Sequence, residues 1–188
     1  LAYLDLLARW NKVYNLTAVR EPEQMLAQHL LDSLAVIAPL RSHAGGRPLR
    51  LLDVGSGGGL PGVVIAICCP DIDVSCVDAV GKKAAFVQQV AGALALPNLR
   101  GRHARVESIA ERHDVVIARA FASLADFTAW SAGALAEGGV WVAMKGRRPD
   151  DEIAALPPSV EVFHVEQLSV PGLDAERCLV WLRLKCST

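Results

Sequence analysis

The chain has 188 residues, the length of one ordinary domain with one good core. Hydrophobic residues make up 52% and charged residues 21%, which excludes a disordered or fibrous chain. The net charge of −1, from 19 basic and 20 acidic residues, excludes a generic polyanion binder, so any nucleic-acid contact needs basic residues gathered on one face.

No apolar run reaches the ~18 residues that a membrane span requires. Leu1 leaves open what precedes it, and nothing visible resembles a leader peptide. At the N-terminus, Leu4, Leu7, Trp10, Val13 and Tyr14 recur at helical spacing. After Asn15-Leu16-Thr17, the run Glu21-Pro22-Glu23 predicts a second helix start, because proline and acids suit a first turn. Met25, Leu26, His29, Leu30, Ser33, Leu34 and Ile37 continue one face of that helix, until Gly45-Gly46 and Pro48 break it.

From there short strands alternate with helices. Strands are predicted over 49–54, 74–78, 99–103, 115–118 and 140–145, with helices over 61–69, 82–94 and 124–135 between them. The first strand is apolar almost throughout, as a parallel strand covered on both faces should be. A short polar helix around 150–156 precedes two more strands, 160–165 and 179–184, expected to form an antiparallel hairpin at the sheet edge. The expectation is therefore an α/β fold with a mostly parallel, seven-stranded sheet, read as a single domain over 1–188. Residues 1–44 form an N-terminal helical extension and 45–188 the core. The five cysteines (Cys68, Cys69, Cys76, Cys178, Cys186) show no C-x-x-C pair and read as small buried hydrophobes in a reducing compartment, with no disulfide framework and no zinc site. Trp10, Trp130, Trp141 and Trp181 read as mostly core.

The first strand runs straight into Gly55-Ser56-Gly57-Gly58-Gly59 and a helix opened by Leu60-Pro61. Glycines there allow a sharp turn and close approach of backbone to a ligand, and the helix start offers unpaired N–H groups. The second strand ends in Asp78, about 20 residues on, where this architecture places a carboxylate for a ribose hydroxyl pair. Gly57-x-Gly59-x-x-Gly62 formally satisfies the dinucleotide fingerprint, which admits an NAD-dependent oxidoreductase. Asp53 immediately before the loop gives Asp-x-Gly-x-Gly-x-Gly instead, a pattern resembling the first motif of Rossmann-like S-adenosylmethionine (SAM) methyltransferases. A carboxylate at this position can restrain the loop or engage a methionine amino group, whereas beside a pyrophosphate it would repel.

The run Asp53-Val54-Gly55-Ser56-Gly57-Gly58-Gly59-Leu60-Pro61-Gly62 resembles the signature of the bacterial small-subunit rRNA guanine-N7 methyltransferases (RsmG, also called glucose-inhibited division protein B). So do Asn15-Leu16-Thr17, His29 with Asp32-Ser33-Leu34, Lys82-Lys83 followed by Phe86, Arg119-Ala120-Phe121-Ala122, and Lys145-Gly146, in that family's order and from about residue 10 onward. The resemblance implies a class I SAM-dependent methyltransferase fold. It implies that Gly55 and Leu60 contact the cofactor, that Val106 and Glu107 flank its adenine, and that Arg119 lies at the cofactor pocket. With Asp53, Gly57, Gly59 and Asp78 these make the expected cofactor site. One departure is that Asp78 is followed by Ala79-Val80-Gly81 rather than a serine-containing turn.

The implied acceptor shapes the expected chemistry. Guanine N7 carries a lone pair and no hydrogen, so its methylation needs no general base. The site has to hold N7 in line with the sulfonium methyl, roughly 3 Å away, and exclude water. Lys145, or Arg147 beside it, is the candidate donor to O6, and His29 and Asn15 complete the expected substrate-positioning set. Asp53, Asp78, Arg119 and Lys145, at strand ends, could each instead cap a loop or pair on the surface; His29 could pair with Asp32 on one helical face. Basic clusters at Arg100, Arg102, His103 and Arg105, at Lys82-Lys83, and at Lys145 with Arg147-Arg148 are candidate phosphate contacts or plain solvated faces. The expected partner is 16S rRNA or an immature small ribosomal subunit, met in the cytoplasm by a monomer that needs neither metal nor membrane. Rival readings are the NAD-dependent oxidoreductase and a non-catalytic SAM-binding module.

Overall fold

The computed structural model describes residues 1–19 and 21–185; Cys186 lies outside them. Seven strands form one sheet: β1 (Leu49–Val54), β2 (Ile72–Asp78), β3 (Leu99–His103), β4 (His113–Arg119), β5 (Leu135–Lys145), β6 (Val160–Leu168) and β7 (Arg177–Leu184), in the order β3-β2-β1-β4-β5-β7-β6. β1 to β5 run parallel, and β7 inserts antiparallel between β5 and β6. The expected edge hairpin is present, with its second strand on the inside.

The pleat sorts side chains with period two. Leu49, Leu51, Val74, Cys76, Val115, Ile117, Val142, Leu179 and Trp181 face one core. Leu52, Val54, Val77, Val116, Ala118, Trp141, Val180 and Leu182 face the other. The first core is covered by α1 (Ala2–Tyr14), α4 (Ile37–Ala44), α5 (Gly62–Cys68) and α6 (Gly81–Ala93), through residues such as Leu7, Leu40, Val63 and Phe86. The second is covered by a 3-10 turn (Val106–Ser108) and α7 (Leu124–Ser131), through Val106, Leu124 and Phe127. A short α8 (Asp150–Ala154) precedes β6.

Two expectations need correction. The second N-terminal helix is not one continuous face: it is α2 (Pro22–Met25), a π-turn (Leu26–Leu31) and α3 (Asp32–Leu34), followed after a turn by α4. The helix expected to reach residue 135 ends as α7 and a 3-10 turn (Ala132–Ala134), and β5 starts five residues early, pairing His113 with Leu135 before a register shift restores Val115 to Val140. Gly138, at φ 71°, is what lets the chain loop out there. Cys69, Cys76 and Cys178 are buried thiols, and Cys68 is half-buried. No helix among the described residues is long and apolar enough to cross a membrane.

Candidate active site

β1 delivers the glycine loop at the carboxyl edge of the sheet, where ligands bind in open α/β folds. Asp53 is completely buried at its end. The Gly62 N–H donates to Asp53 Oδ2 at 2.8 Å, and the Cys76 Sγ lies 3.9 Å from the same oxygen. A Cβ at Gly62 would stand 2.8 Å from that carboxylate, so only glycine lets α5 begin this close. Asp53 Oδ1 has no partner among the described residues. Burial pushes this carboxyl up to about 7, against the opposing pull of the Gly62 N–H and the Arg119 charge. Its contacts place Asp53 as a restraint on the loop.

The N-terminal helix forms the loop's floor. The buried Tyr3 hydroxyl donates to the Gly58 carbonyl at 2.6 Å, and a Cβ on Gly58 would stand 2.9 Å from Leu7. Composition and spacing gave no sign of this, because the two segments are 55 residues apart. On the other side, Asp78 Oδ2 accepts from Gly57 N–H at 3.0 Å and Oδ1 from Val80 N–H at 2.8 Å, with Lys83 Nζ 3.9 Å away. A carboxylate has about four lone-pair positions, so both oxygens can still accept from a ligand.

A cleft of about 200 Å³ opens beside the loop, with Gly55, Asp78, Val106, Glu107, Phe121 and Trp130 in its walls. Four expected cofactor residues are thus brought together. Phe121 lies directly on Gly55: a Cβ there, at φ 65°, would come within 2.7 Å of the ring. Phe121 meets Trp130 edge to face, centroids 5.8 Å apart at 87°. Trp130 is 43% exposed rather than core. Both aromatics were missed as wall residues. Phe121 sits within a noted motif, whereas nothing in the spacing of Trp130 reveals which way it points. Leu60 is buried in the core, its N–H bonded to Ser56 O at 3.0 Å, so its side chain is turned away from the cleft.

Arg119 lines a second cleft of about 450 Å³, together with His29, Asp32, Lys145, Gly146 and Arg177. The buried Asp32 carboxylate accepts from Arg119 Nη1 at 3.1 Å and from Arg177 Nε at 2.9 Å. Arg119 also donates to Gln28 O at 3.0 Å and approaches His29 Nδ1 at 3.4 Å. With Nδ1 facing a guanidinium, His29 carries its proton on Nε2 and donates it to Thr17 Oγ1 at 2.7 Å. Burial, then the Arg119 charge, lower the His29 pKa from its ordinary 6.5. The alternative of a direct His29–Asp32 pair is replaced: Arg119 engages both. Sequence spacing could not reveal Arg177, which reaches Asp32 across 145 residues.

Lys145 spends its three N–H donors on Glu152 Oε1 and Oε2, at 3.0 and 2.8 Å, and on Ala122 O at 3.4 Å. A contact with a guanine O6 therefore needs an exchange of partner. Arg147 lies with Lys145 along an adjoining groove. Asn15 is exposed and caps α1 in the left-handed region, at φ 50°. Of the basic clusters, Arg100 pairs with Asp73, Arg102 with Glu111 and Arg148 with Asp150, which favours the solvated-face alternative for those three.

The first cleft has the donor set of a nucleoside site: a carboxylate for hydroxyls at one end, apolar and aromatic walls at the other, and a glycine cradle that a side chain would fill. With the antiparallel β7 between β5 and β6, the sheet departs from the 3-2-1-4-5-6 dinucleotide order. It is the class I SAM-dependent methyltransferase fold. Among solved structures, magnesium protoporphyrin IX methyltransferase from Synechocystis PCC 6803, with bound SAM, superposes at a TM-score of 0.67 and 14% identity over 97% of this chain and 98% of that one. The profile of GidB, rRNA small subunit methyltransferase G, matches residues 1–180, and the chain belongs to that family. The ribosomal RNA small subunit methyltransferases G of Acidovorax sp. (strain JS42) and Polaromonas sp. (strain JS666) are 68% and 65% identical, over 97% and 98% of this chain and 84% of each relative.

Proposed function

We propose that this protein transfers a methyl group from SAM to N7 of a guanosine in 16S ribosomal RNA. The observation that carries the reading is two clefts side by side at the carboxyl edge of the sheet, divided by the single segment Arg119-Ala120-Phe121. Phe121 walls the nucleoside cleft, and Arg119 and Ala120 line the cationic one. When bound, SAM supplies an electrophilic methyl on a sulfonium centre. Gly55, Gly57 and Gly59 hold its path open, Asp78 takes the ribose hydroxyls, and Val106 with Glu107 flank the adenine. Phe121 and Trp130 exclude water from that end.

In the second cleft, Arg119 and Arg177 hold the target nucleotide while Asp32 fixes both guanidinium groups. His29, kept neutral, adds no charge and orients Arg119. Lys145 donates to guanine O6 after leaving Glu152, and Arg147 steadies the flanking phosphate. N7 would take the methyl with its own lone pair as the sulfur–methyl bond breaks and S-adenosylhomocysteine leaves, so alignment rather than proton removal is what the residues provide. A non-catalytic SAM-binding module would need no cationic cleft across Phe121 from the loop. The N-terminal helices of 1–44 and the core of 45–188 act as one domain and as a monomer. The substrate is 16S rRNA or the immature small subunit, in the cytoplasm.

The test is incubation with methyl-labelled SAM and small subunits from cells lacking the modification, then mapping of the labelled base. Label on a guanine N7 of 16S rRNA is expected. Label elsewhere, or none, overturns the assignment.

A further inference from the structure

The largest cavity of the molecule among those described, about 670 Å³, belongs to neither cleft. It opens between α4 and the β6–β7 edge and is lined by Ser42, His43, Phe163, His164, Glu166 and Trp181. Trp181 is 4% exposed, and its indole N–H has no acceptor among the described residues. The His43 ring lies 5.1 Å from Trp181, tilted by 41°, and Phe163 lies 6.4 Å away at 57°. A buried N–H without a partner is costly to a fold. Burial, then the Arg47 charge, lower the His43 pKa from its ordinary 6.5, so at pH 7 the ring is neutral, with one donor and one acceptor nitrogen.

We propose that this cavity is a second RNA-binding site, holding one unpaired nucleobase a few nucleotides from the methylated guanosine. The inference rests on the RNA substrate of the preceding section. The lining suits a planar heterocycle: aromatic and imidazole rings for its faces, and hydroxyl, imidazole and carboxylate groups for its edge. Glu166 accepts from an exocyclic amine, as carboxylates do from base edges. A purely apolar partner would leave Ser42, both histidines and Glu166 unsatisfied.

Position argues for the same ligand. Arg177, Leu179, Trp181 and Arg183 are two apart along β7 and so share one face. Arg177 lines the substrate cleft, and Trp181 follows it by four residues, or about 13 Å of strand. Arg183 lies over the Phe163 ring at 5.0 Å, on the far side. This face is therefore basic at Arg177 and Arg183, with the buried Leu179 and Trp181 between them, and Phe163 beside Trp181 is the exposed ring; charge with an accessible aromatic is the combination that holds single-stranded nucleic acid. Arg183 is paired with Glu161, but Arg183 is exposed and Glu161 only half-buried, and such a pair exchanges readily for a phosphate.

The exposed side chains of Phe163 and His164 permit variants that spare the core. Phe163→Ala and His164→Ala are assayed with labelled SAM and unmodified small subunits. Each raises KM about tenfold, with kcat and S-adenosylhomocysteine affinity unchanged, since a stacked base is worth ~1–3 kcal/mol. In parallel, p-benzoylphenylalanine substituted for Phe163 is photo-cross-linked on the subunit, and the adduct is a 16S rRNA nucleotide. Unchanged KM in both variants overturns the proposal while the wild type still methylates, and so does an adduct to a ribosomal protein. Absence of methylation by the wild type sinks the RNA reading itself, and this one with it.

Discussion

Asp53 is a carboxyl buried without charge compensation on one of its oxygens, and that has a consequence for stability. The folded protein holds this proton up to about pH 7, whereas the unfolded chain releases it near the ordinary 3.8. Between those values the native state binds more protons than the unfolded one, so stability falls as pH rises. The contribution is complete below pH 3.8 and lost by about pH 7. A shift of this size corresponds to roughly 4 kcal/mol. Asp53→Asn keeps an oxygen for the Gly62 N–H and removes the titration. Urea unfolding from pH 5 to 8 is expected to show a shallower decline in the variant than in the wild type; parallel curves would mean that Asp53 does not titrate here. Asp78 accepts from two backbone N–H groups and lines the nucleoside cleft. Asp78→Ala removes a charge-assisted hydrogen bond to the ligand, worth ~1.5–3 kcal/mol. Calorimetry should show S-adenosylhomocysteine affinity down by about 10- to 100-fold, with RNA binding intact.

At the scale of elements, α7 carries Trp130 to the cofactor cleft, and two side chains hold its start: Glu152 Oε2 accepts from the Leu124 N–H at 2.7 Å, and Ser123 is the N-cap. Ser123 Oγ accepts from Asp126 N–H at 3.1 Å and donates to Asp126 Oδ2 at 2.8 Å. Ser123→Ala removes this N-cap and should cost ~1 kcal/mol in chemical denaturation; a loss under a few tenths would show that packing of Leu124 and Phe127 fixes the helix without it. The strand at 49–54 was legible to the residue, because Pro48 and Gly55 bound an almost continuously apolar run. β5 was not, because Gly138-Gly139 reads locally as a turn while its hydrogen bonds to β4 resume across it. Nor was the π-turn at Leu26–Leu31, since its apolar spacing is that of an ordinary helix and the i to i+5 pattern leaves no compositional mark. The glycine loop was readable for the opposite reason: its residues are contiguous, and the ligand approach that needs them is written in one run. Arg119, Asp32 and Arg177 come from three distant segments, so only the fold reveals that one carboxylate holds two guanidinium groups.

Across the whole molecule, a net charge of −1 has to coexist with a polyanionic substrate. Most basic side chains near the sheet edge are already committed: Lys83 to Asp78, Lys145 to Glu152, Arg148 to Asp150. Arg119 and Arg177 share Asp32, which leaves that group a single net positive charge. Arg147 enters no ion pair among the described residues, and Arg183 can exchange Glu161 for a phosphate. The count of phosphates neutralised should therefore be small, about two or three. Each phosphate on a single strand contributes ~0.7 to the slope of log affinity against log salt. The logarithm of KM for small subunits should accordingly rise against the logarithm of salt concentration with a slope of about 1.5–2. The Arg183→Gln variant, which spares the substrate cleft, should lower that slope by about 0.7. A wild-type slope above about 4 would mean that the paired basic residues all break their ion pairs on binding, and that recognition is a broad electrostatic contact rather than a few placed charges.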